Sequence, residues 1–309
     1  MFYLLLAVAC SVLLGFIFKL FVRFRVDGFQ AIVFNYVTCV LCGWLHIGHF
    51  PLSFANAAKP WFPYSVVLGL VFIGGFNGAA LTVRYFGVMV SQIMQRMSIL
   101  MTVPFAVLVY GESAGTGKIA GFLLALAAIV LVNWPHAKPP VQSHNDSTLP
   151  SVEQQPNTLT WKGEKVLLLI PLLTWLLAGV IEILFIRVQK EGMADPNDPA
   201  FISAVFGMAG IIGLCAAIYG WWSGRLIFSW RNVAAGIALG IPNYGSMLFL
   251  LMALGSGLEG SFLFPVLNVC IIFITTIGAV WLFQERLSRL NWLGIVLALS
   301  AIVLMSQSF

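Results

Sequence analysis

Runs of apolar residues about twenty long, each closed by a charge, a glycine or a proline, recur along the chain. They predict helices near residues 2–22, 29–48, 63–83, 88–110, 117–134, 165–187, 200–222, 231–254, 259–283 and 289–307. Hydrocarbon offers a backbone no hydrogen-bond partner, so spanning segments satisfy themselves as helices, and the alternation of a barrel strand is absent here. The pattern reads as an all-α polytopic membrane protein with ten transmembrane helices.

The runs fall as five, a break and five. The break carries Pro139, Pro140, Ser143, Asn145, Asp146, Ser147, Pro150, Gln154, Gln155 and Pro156 with almost no large apolar residue, which predicts a flexible tether. The organisation is a first five-helix repeat over 1–134, a tether over 135–163 and a second five-helix repeat over 164–309.

The two halves resemble each other. Sliding Phe105–Trp134 onto Gly278–Gln307 matches 11 of 30 positions, among them Glu112 with Glu285 and Gly121 with Gly294. Aliphatic matches come easily in apolar helices, so the shared glutamate and following glycine carry more weight. Gly15–Arg23 aligns independently onto Gly179–Arg187. An odd number of spans per half makes the second copy enter the membrane from the opposite side, giving two inverted repeats. Inverted repeats place a site near the bilayer midplane and expose it alternately to each side. The architecture therefore points to transport.

Composition agrees with a lipid environment: 60% of residues are hydrophobic and 9% charged, with mean hydropathy +0.97. The net charge of +5 sits on basic residues scattered at the ends of apolar runs, a pattern of topology determinants that excludes a nucleic-acid stripe. One side collects Lys19, Arg23, Arg25, Arg84, Lys138, Lys162, Lys165, Arg225, Arg231, Arg286 and Arg289, and the other Lys59, Lys118, Arg187 and Lys190. The first side is expected to be cytoplasmic, with the tether inside and both termini outward, in a bacterial inner membrane. All five cysteines fall inside apolar runs, and the Cys39/Cys42 pair lacks the second pair that a metal site would need. Ala7-Val8-Ala9-Cys10 loosely resembles a lipoprotein cleavage box, but no basic segment precedes it and the apolar run continues to Lys19, so it reads as the first transmembrane helix.

The stretch Ala279-Val280-Trp281-Leu282-Phe283-Gln284-Glu285-Arg286-Leu287-Ser288, continuing to Asn291-Trp292-Leu293-Gly294, resembles the junction before the last helix of EamA-type drug/metabolite transporters. Val109-Tyr110-Gly111-Glu112 through Gly121 is a degraded copy, with Ser113-Ala114-Gly115-Thr116 where a basic residue and leucine usually follow the glutamate. The second half also opens as in that family, with Trp175 in Thr174-Trp175-Leu176-Leu177-Ala178. The resemblance implies a secondary carrier with two inverted five-helix repeats around a central cavity, and it leaves the substrate open.

Charges within spans are costly to desolvate, so each is a functional candidate. Arg96 lies deep in its predicted helix, where its guanidinium fork suits a carboxylate or phosphate; the bland alternative is a buried pair with Glu182 or a carbonyl. Glu182 is a candidate for proton coupling, set against a headgroup pair with Arg187. The repeat offset pairs Gln95 with Asn268, and a looser one pairs Asn77 with Asn243; with Gln92 and Tyr244 these complete the candidate substrate-binding set. Pro242 beside Asn243, and Pro265 near Asn268, predict locally opened helices with free carbonyls. Gly74/Gly78, Gly117/Gly121 and Gly236/Gly240 predict packing faces, Glu112 and Glu285 loop hydrogen bonding, and the tryptophans at span ends interfacial anchors.

The expected function is thus a secondary transporter moving a small metabolite, an amino acid or organic anion, through the inner membrane by alternating access. The expected partners are the lipid bilayer and the solute; the sequence is open to a monomer or a homodimer. No cofactor or metal is called for, and a proton or sodium gradient or solute exchange would drive the cycle. Two other classes compete. A sensor or assembly protein without transport lacks a large cytoplasmic signalling domain. An intramembrane enzyme needs a nucleophile and base at membrane depth, whereas His46, His49, His136 and His144 lie at span ends or in the tether. Gly111–Ile119 mimics a phosphate loop, yet Ile119 stands where a magnesium-binding hydroxyl belongs, so ATP-driven pumping is not expected.

Overall fold

A computed structural model describes residues 1–48, 54–86, 88–132, 169–283 and 288–306 of the chain. The predicted tether and Glu285 lie outside the described residues. Those described form helices α1 (Phe2–Arg23), α2 (Gly28–Ile47), α3 (Phe54–Ala57), α4 (Phe62–Phe86), α5 (Val88–Arg96), α6 (Ile99–Tyr110), α7 (Thr116–Val132), α8 (Leu169–Lys190), α9 (Ala200–Trp222), α10 (Trp230–Gly255), α11 (Gly260–Phe283) and α12 (Arg289–Ser306). Seven spans among them are long and apolar enough to cross a membrane, with α5 and α6 contributing one such span, 90–110. Three further apolar helices, Phe2–Phe18, Thr116–Val132 and Arg289–Met305, are shorter. The protein is therefore a membrane protein built of helices.

Local chemistry sets the ends. The Asp27 carboxylate accepts the Gln30 N–H at 2.8 Å and starts α2, and Gly48, left-handed at φ 81°, ends it with its N–H on the Trp44 carbonyl. Gly111, at φ 64°, does the same for α6. The end of α1 is less relaxed. Arg25 takes φ 50°, the left-handed position a glycine would hold without strain, while Val26 N–H reaches back to the Phe21 carbonyl at 3.0 Å.

Packing runs mainly between the two halves of the chain: α2 against α9 and α10, α1 against α10, α4 against α8 and α9, and α7 against α12. Small residues permit these approaches. A Cβ on Gly240 would lie 2.5 Å from Thr38 Cβ and 2.8 Å from the Asn35 carbonyl, and one on Gly236 2.7 Å from the Ala31 carbonyl, so this predicted glycine face is a close contact of α10 with α2. Gly121 on α7 meets Met305 and the Ala301 carbonyl of α12, while Gly294 on α12 meets Val132 and Leu131 of α7. Tyr36, Phe201, Phe206, Leu239 and Phe264 fill the core, and exposed Leu45, Leu108, Ile241 and Trp281 form an apolar exterior suited to lipid.

Three expectations change. Pro242 does not interrupt its helix, since α10 runs continuously from Trp230 to Gly255 through it, and α11 likewise continues through Pro265. Trp61 is no interfacial anchor but is 4% exposed, packed edge-on against Phe201, whereas Trp222 at 87% and Trp230 at 76% lie on the surface as expected. The interruption falls instead in the fourth predicted helix, at Met97 and Ser98, where neither glycine nor proline marks it.

Candidate functional site

At that interruption the hydrogen-bond ladder tightens to three-residue spacing: Leu100 N–H bonds the Met97 carbonyl at 3.0 Å and Met101 N–H the Ser98 carbonyl at 2.8 Å. The Met97 carbonyl also accepts the Trp175 indole N–H at 2.9 Å from α8. A tertiary donor thus stabilises the irregular turn, which leaves the side chains on either side of it, Arg96 and Ser98, turned into the bundle.

Three polar groups from different helices converge there. Arg96 Nη1 donates to Asn268 Oδ1 of α11 at 2.7 Å. The Glu182 carboxylate of α8 accepts from Ser98 Oγ at 2.8 Å and from Thr102 Oγ1 at 2.6 Å. Ser98, at the start of α6, and Thr102, within it, are four residues apart and so face the same way. No ion pair joins Arg96 to Glu182 directly among the described residues, although the two interact electrostatically. Asn268 is 2% exposed, and its Nδ2 is buried with no hydrogen-bond partner among the described residues.

The cluster therefore holds a guanidinium, a carboxyl group and an amide within reach of one another. Arg96 uses one of five guanidinium N–H groups on Asn268, and no other hydrogen bond of its fork is formed among the described residues. Both charged residues are half-buried. A group bearing a carboxylate can bind the free edge of such a fork, and a carboxylate held by two hydroxyls can accept an ammonium or a proton. Cavities of about 340 and about 40 Å³ lie at the two ends of the molecule, and neither touches Arg96.

The structure brings together only part of the predicted set. Arg96, Asn268 and Glu182 meet. The proposed pairing of Glu182 with Arg187 is not made: Arg187 Nε bonds Glu191 at 3.0 Å, one turn further on, and lies over the Tyr64 ring at 5.7 Å. Of the two bland alternatives for Arg96, the direct pair with Glu182 is not made, while its bond to the side-chain carbonyl of Asn268 is of the second kind. Gln95, exposed, folds back onto Ser91 Oγ at 3.2 Å, and Gln92 is exposed on the same helix. Asn77, also exposed, bonds the Ile73 carbonyl of its own helix at 2.9 Å.

Asn243 and Tyr244 belong to a second polar cluster, between α10 and α2. Asn243 Nδ2 donates to Asn35 Oδ1 at 3.1 Å, Cys39 Sγ donates to the Gly240 carbonyl at 3.3 Å, and the Tyr244 hydroxyl and His46 Nδ1 are 3.0 Å apart. Residues that the sequence reading passed over are Ser98 and Thr102, which hold Glu182, Trp175, which appeared only as a family mark, and Asn35. The one signal available was the pair of hydroxyls at helical spacing just after Arg96.

A third network ties the halves together at the end bearing few basic residues. Glu112, 6% exposed, accepts N–H groups from Gly260 at 3.0 Å and Ser261 at 2.8 Å, the first turn of α11, and Lys190 Nζ lies 2.9 Å from it. This is the loop hydrogen bonding expected of Glu112, made in trans to a helix N-terminus. Burial by itself would raise the Glu112 carboxyl, but the bonds from Ser261, Lys190 and Gly260 overcome it and hold the group below its usual value. Beside it Lys118, within the phosphate-loop lookalike, pairs with Glu259 and bonds Ser113 Oγ at 2.6 Å. That lysine is committed to the protein.

No family model matches the sequence. The chain is 30% identical over 304 residues to an uncharacterized protein of Haemophilus influenzae, spanning 97% of this chain and 95% of that one. It belongs to that protein's family. A protein of known crystal structure superposes on 99% of this chain and 96% of its own with a TM-score of 0.72 at 13% identity, which shows a shared fold. The match to the H. influenzae protein extends over both halves of the chain.

Proposed function

We propose that this protein is a secondary carrier of the EamA type, in the drug/metabolite transporter superfamily, which moves a small zwitterionic or anionic metabolite across the inner membrane by alternating access. The observation that carries the reading is the meeting of Arg96, Asn268 and Glu182, drawn from both halves of the chain, beside an interrupted helix inside an apolar bundle. Irregular backbone at membrane depth is tolerated where it is buried in protein or lines a cavity, and carriers use it to present polar groups to a solute. The solute's carboxylate would bind the free edge of the Arg96 fork. Its ammonium, or a coupling proton, would be received by Glu182.

The pairing of helices supports two inverted repeats of five spans, counting α5 with α6 as one and leaving out the four-residue α3. A twofold that exchanges the halves carries α1 onto α8, α2 onto α9, α4 onto α10, α5–α6 onto α11 and α7 onto α12. Under it the packing of α1 on α10 becomes that of α8 on α4, and α2 on α10 becomes α9 on α4; both members of each pair occur. The contact of Gly121 with Met305 becomes that of Gly294 with Val132, and both occur. Basic bias supports a cytoplasmic location for the end carrying Arg25, Arg225 and Arg231, with both termini outward. In that orientation the Glu112 and Lys118 networks close the outer end.

The test is uptake into proteoliposomes of labelled amino acids and small organic anions, with and without proton and sodium gradients. Arg96→Ala is expected to reduce uptake by about a hundredfold or more, the equivalent of ~3 kcal/mol for a desolvated charge-assisted bond. Glu182→Gln is expected to remove gradient dependence while leaving exchange measurable. Uptake unchanged in both variants would overturn the reading.

A further inference from the structure

We propose that the cavity at the basic end binds a phospholipid head group, recognised as a phosphate beside a primary ammonium. The site is built where α1 and α9 end and α2 and α10 begin, and its volume of about 340 Å³ lies at the small end of ligand pockets, roughly 300–1,000 Å³. It is independent of the central cluster and of any transport cycle.

Two helix ends deliver its cations. Arg25 stands at the strained left-handed position that closes α1, where glycine would be relaxed, and its guanidinium makes no hydrogen bond among the described residues. The fold therefore holds an arginine at the cavity wall against a backbone preference. Arg225 follows Gly224, left-handed at φ 68°, and its N–H reaches the Gly220 carbonyl at 2.9 Å, so the end of α9 is fixed as well. The Arg225 guanidinium lies over the Tyr219 ring at 5.9 Å, which occupies its face and leaves its N–H edge for an anion. Ser229, before the first turn of α10, makes no capping bond with its hydroxyl. Arg25, Arg225 and Ser229 are a donor set for phosphate oxygens.

The same cavity carries acceptors that a bare phosphate would not use. Asp27 spends Oδ1 on the Gln30 N–H, which leaves Oδ2. Gln30 donates its Nε2 to the Ile227 carbonyl at 2.9 Å, and its Oε1 is buried with no partner among the described residues. An ammonium placed near these two acceptors satisfies both, so donors and acceptors together match phosphoethanolamine rather than a purely anionic group. Asn232 Oδ1, accepting the Asp27 N–H at 3.0 Å, holds the two walls together. Around the site Trp222, Ile227 and Trp230 are exposed, Ile227 at 84%, and supply the apolar surface along which acyl chains would lie. That apron favours the lipid over a soluble phosphoethanolamine.

Native mass spectrometry of the full chain, released from detergent with phosphatidylethanolamine, phosphatidylglycerol or free O-phosphoethanolamine, tests this. Wild type is expected to retain phosphatidylethanolamine in preference to phosphatidylglycerol, and Arg25→Gly or Arg225→Gln to weaken retention at least tenfold. Arg25→Gly relieves strain, so its lipid-free unfolding midpoint is expected to equal or exceed that of wild type, separating lost binding from lost folding. Asp27→Asn keeps the helix cap and is expected to abolish the preference over phosphatidylglycerol. Free phosphoethanolamine competing as well as the lipid would uphold the chemistry and assign a soluble source. Equal retention of both lipids by wild type, or undiminished phosphatidylethanolamine on the Arg25→Gly/Arg225→Gln double variant, would overturn it.

Discussion

Truncating Glu112 to alanine removes the acceptor for two backbone N–H groups at the start of α11, at 3.0 and 2.8 Å, from a side chain almost wholly buried. A hydrogen bond to a charged group contributes about 1.5–3 kcal/mol, and water can re-enter near a loop, so two bonds at the low end amount to about 3 kcal/mol. The Lys190 contact adds less, because the lysine side chain is 32% exposed and its ion pair is screened; about 0.2–1 kcal/mol is expected from it. Glu112→Gln keeps one acceptor and should lose about half of the alanine effect. Reversible denaturant unfolding in mixed micelles reads these differences. The sign with pH follows from the lowered carboxyl: its contribution is full above the unfolded value near ~4.3 and is lost as pH falls through the lower native value. The gap between wild type and Glu112→Gln should therefore close on acidification. The reasoning fails if Glu112→Ala lies within about 0.5 kcal/mol of wild type, or if Lys190→Ala costs as much as Glu112→Ala.

Two further substitutions probe packing and surface charge. Gly240→Ala sets a methyl 2.5 Å from Thr38 Cβ and 2.8 Å from a carbonyl, so overpacking of about 1–3 kcal/mol is expected in the same unfolding assay; a neutral change would mean that α2 and α10 can part freely. Arg187→Ala removes a half-exposed pair and a cation–π contact, for which less than about 1 kcal/mol is expected; a larger loss would overturn the reading of these as screened surface contacts.

Sequence pattern alone determined most of the helices, because lipid demands long apolar runs and a helix satisfies its own backbone. The observed bounds Ala200–Trp222 and Trp230–Gly255 match the apolar runs to within a residue. Charge in such a run is rare enough that Arg96 and Glu182 stood out unaided. Their partners did not. Asn268 lies 172 positions from Arg96 and Ser98 lies 84 from Glu182, and serines and asparagines also serve as ordinary packing residues, so nothing local marks which ones are used. The sequence offset between the halves pairs Gln95 with Asn268, yet of the two only Asn268 bonds Arg96, since such an offset fixes a position along the chain and not the neighbours its side chain meets. The Trp175 indole that stabilises the turn at Met97 and the burial of Trp61 against Phe201 were both decided by tertiary contact. Periodicity reports which face of a helix avoids water or lipid; which polar group on that face finds a partner depends on a helix from elsewhere in the chain, and only the assembled bundle determines that.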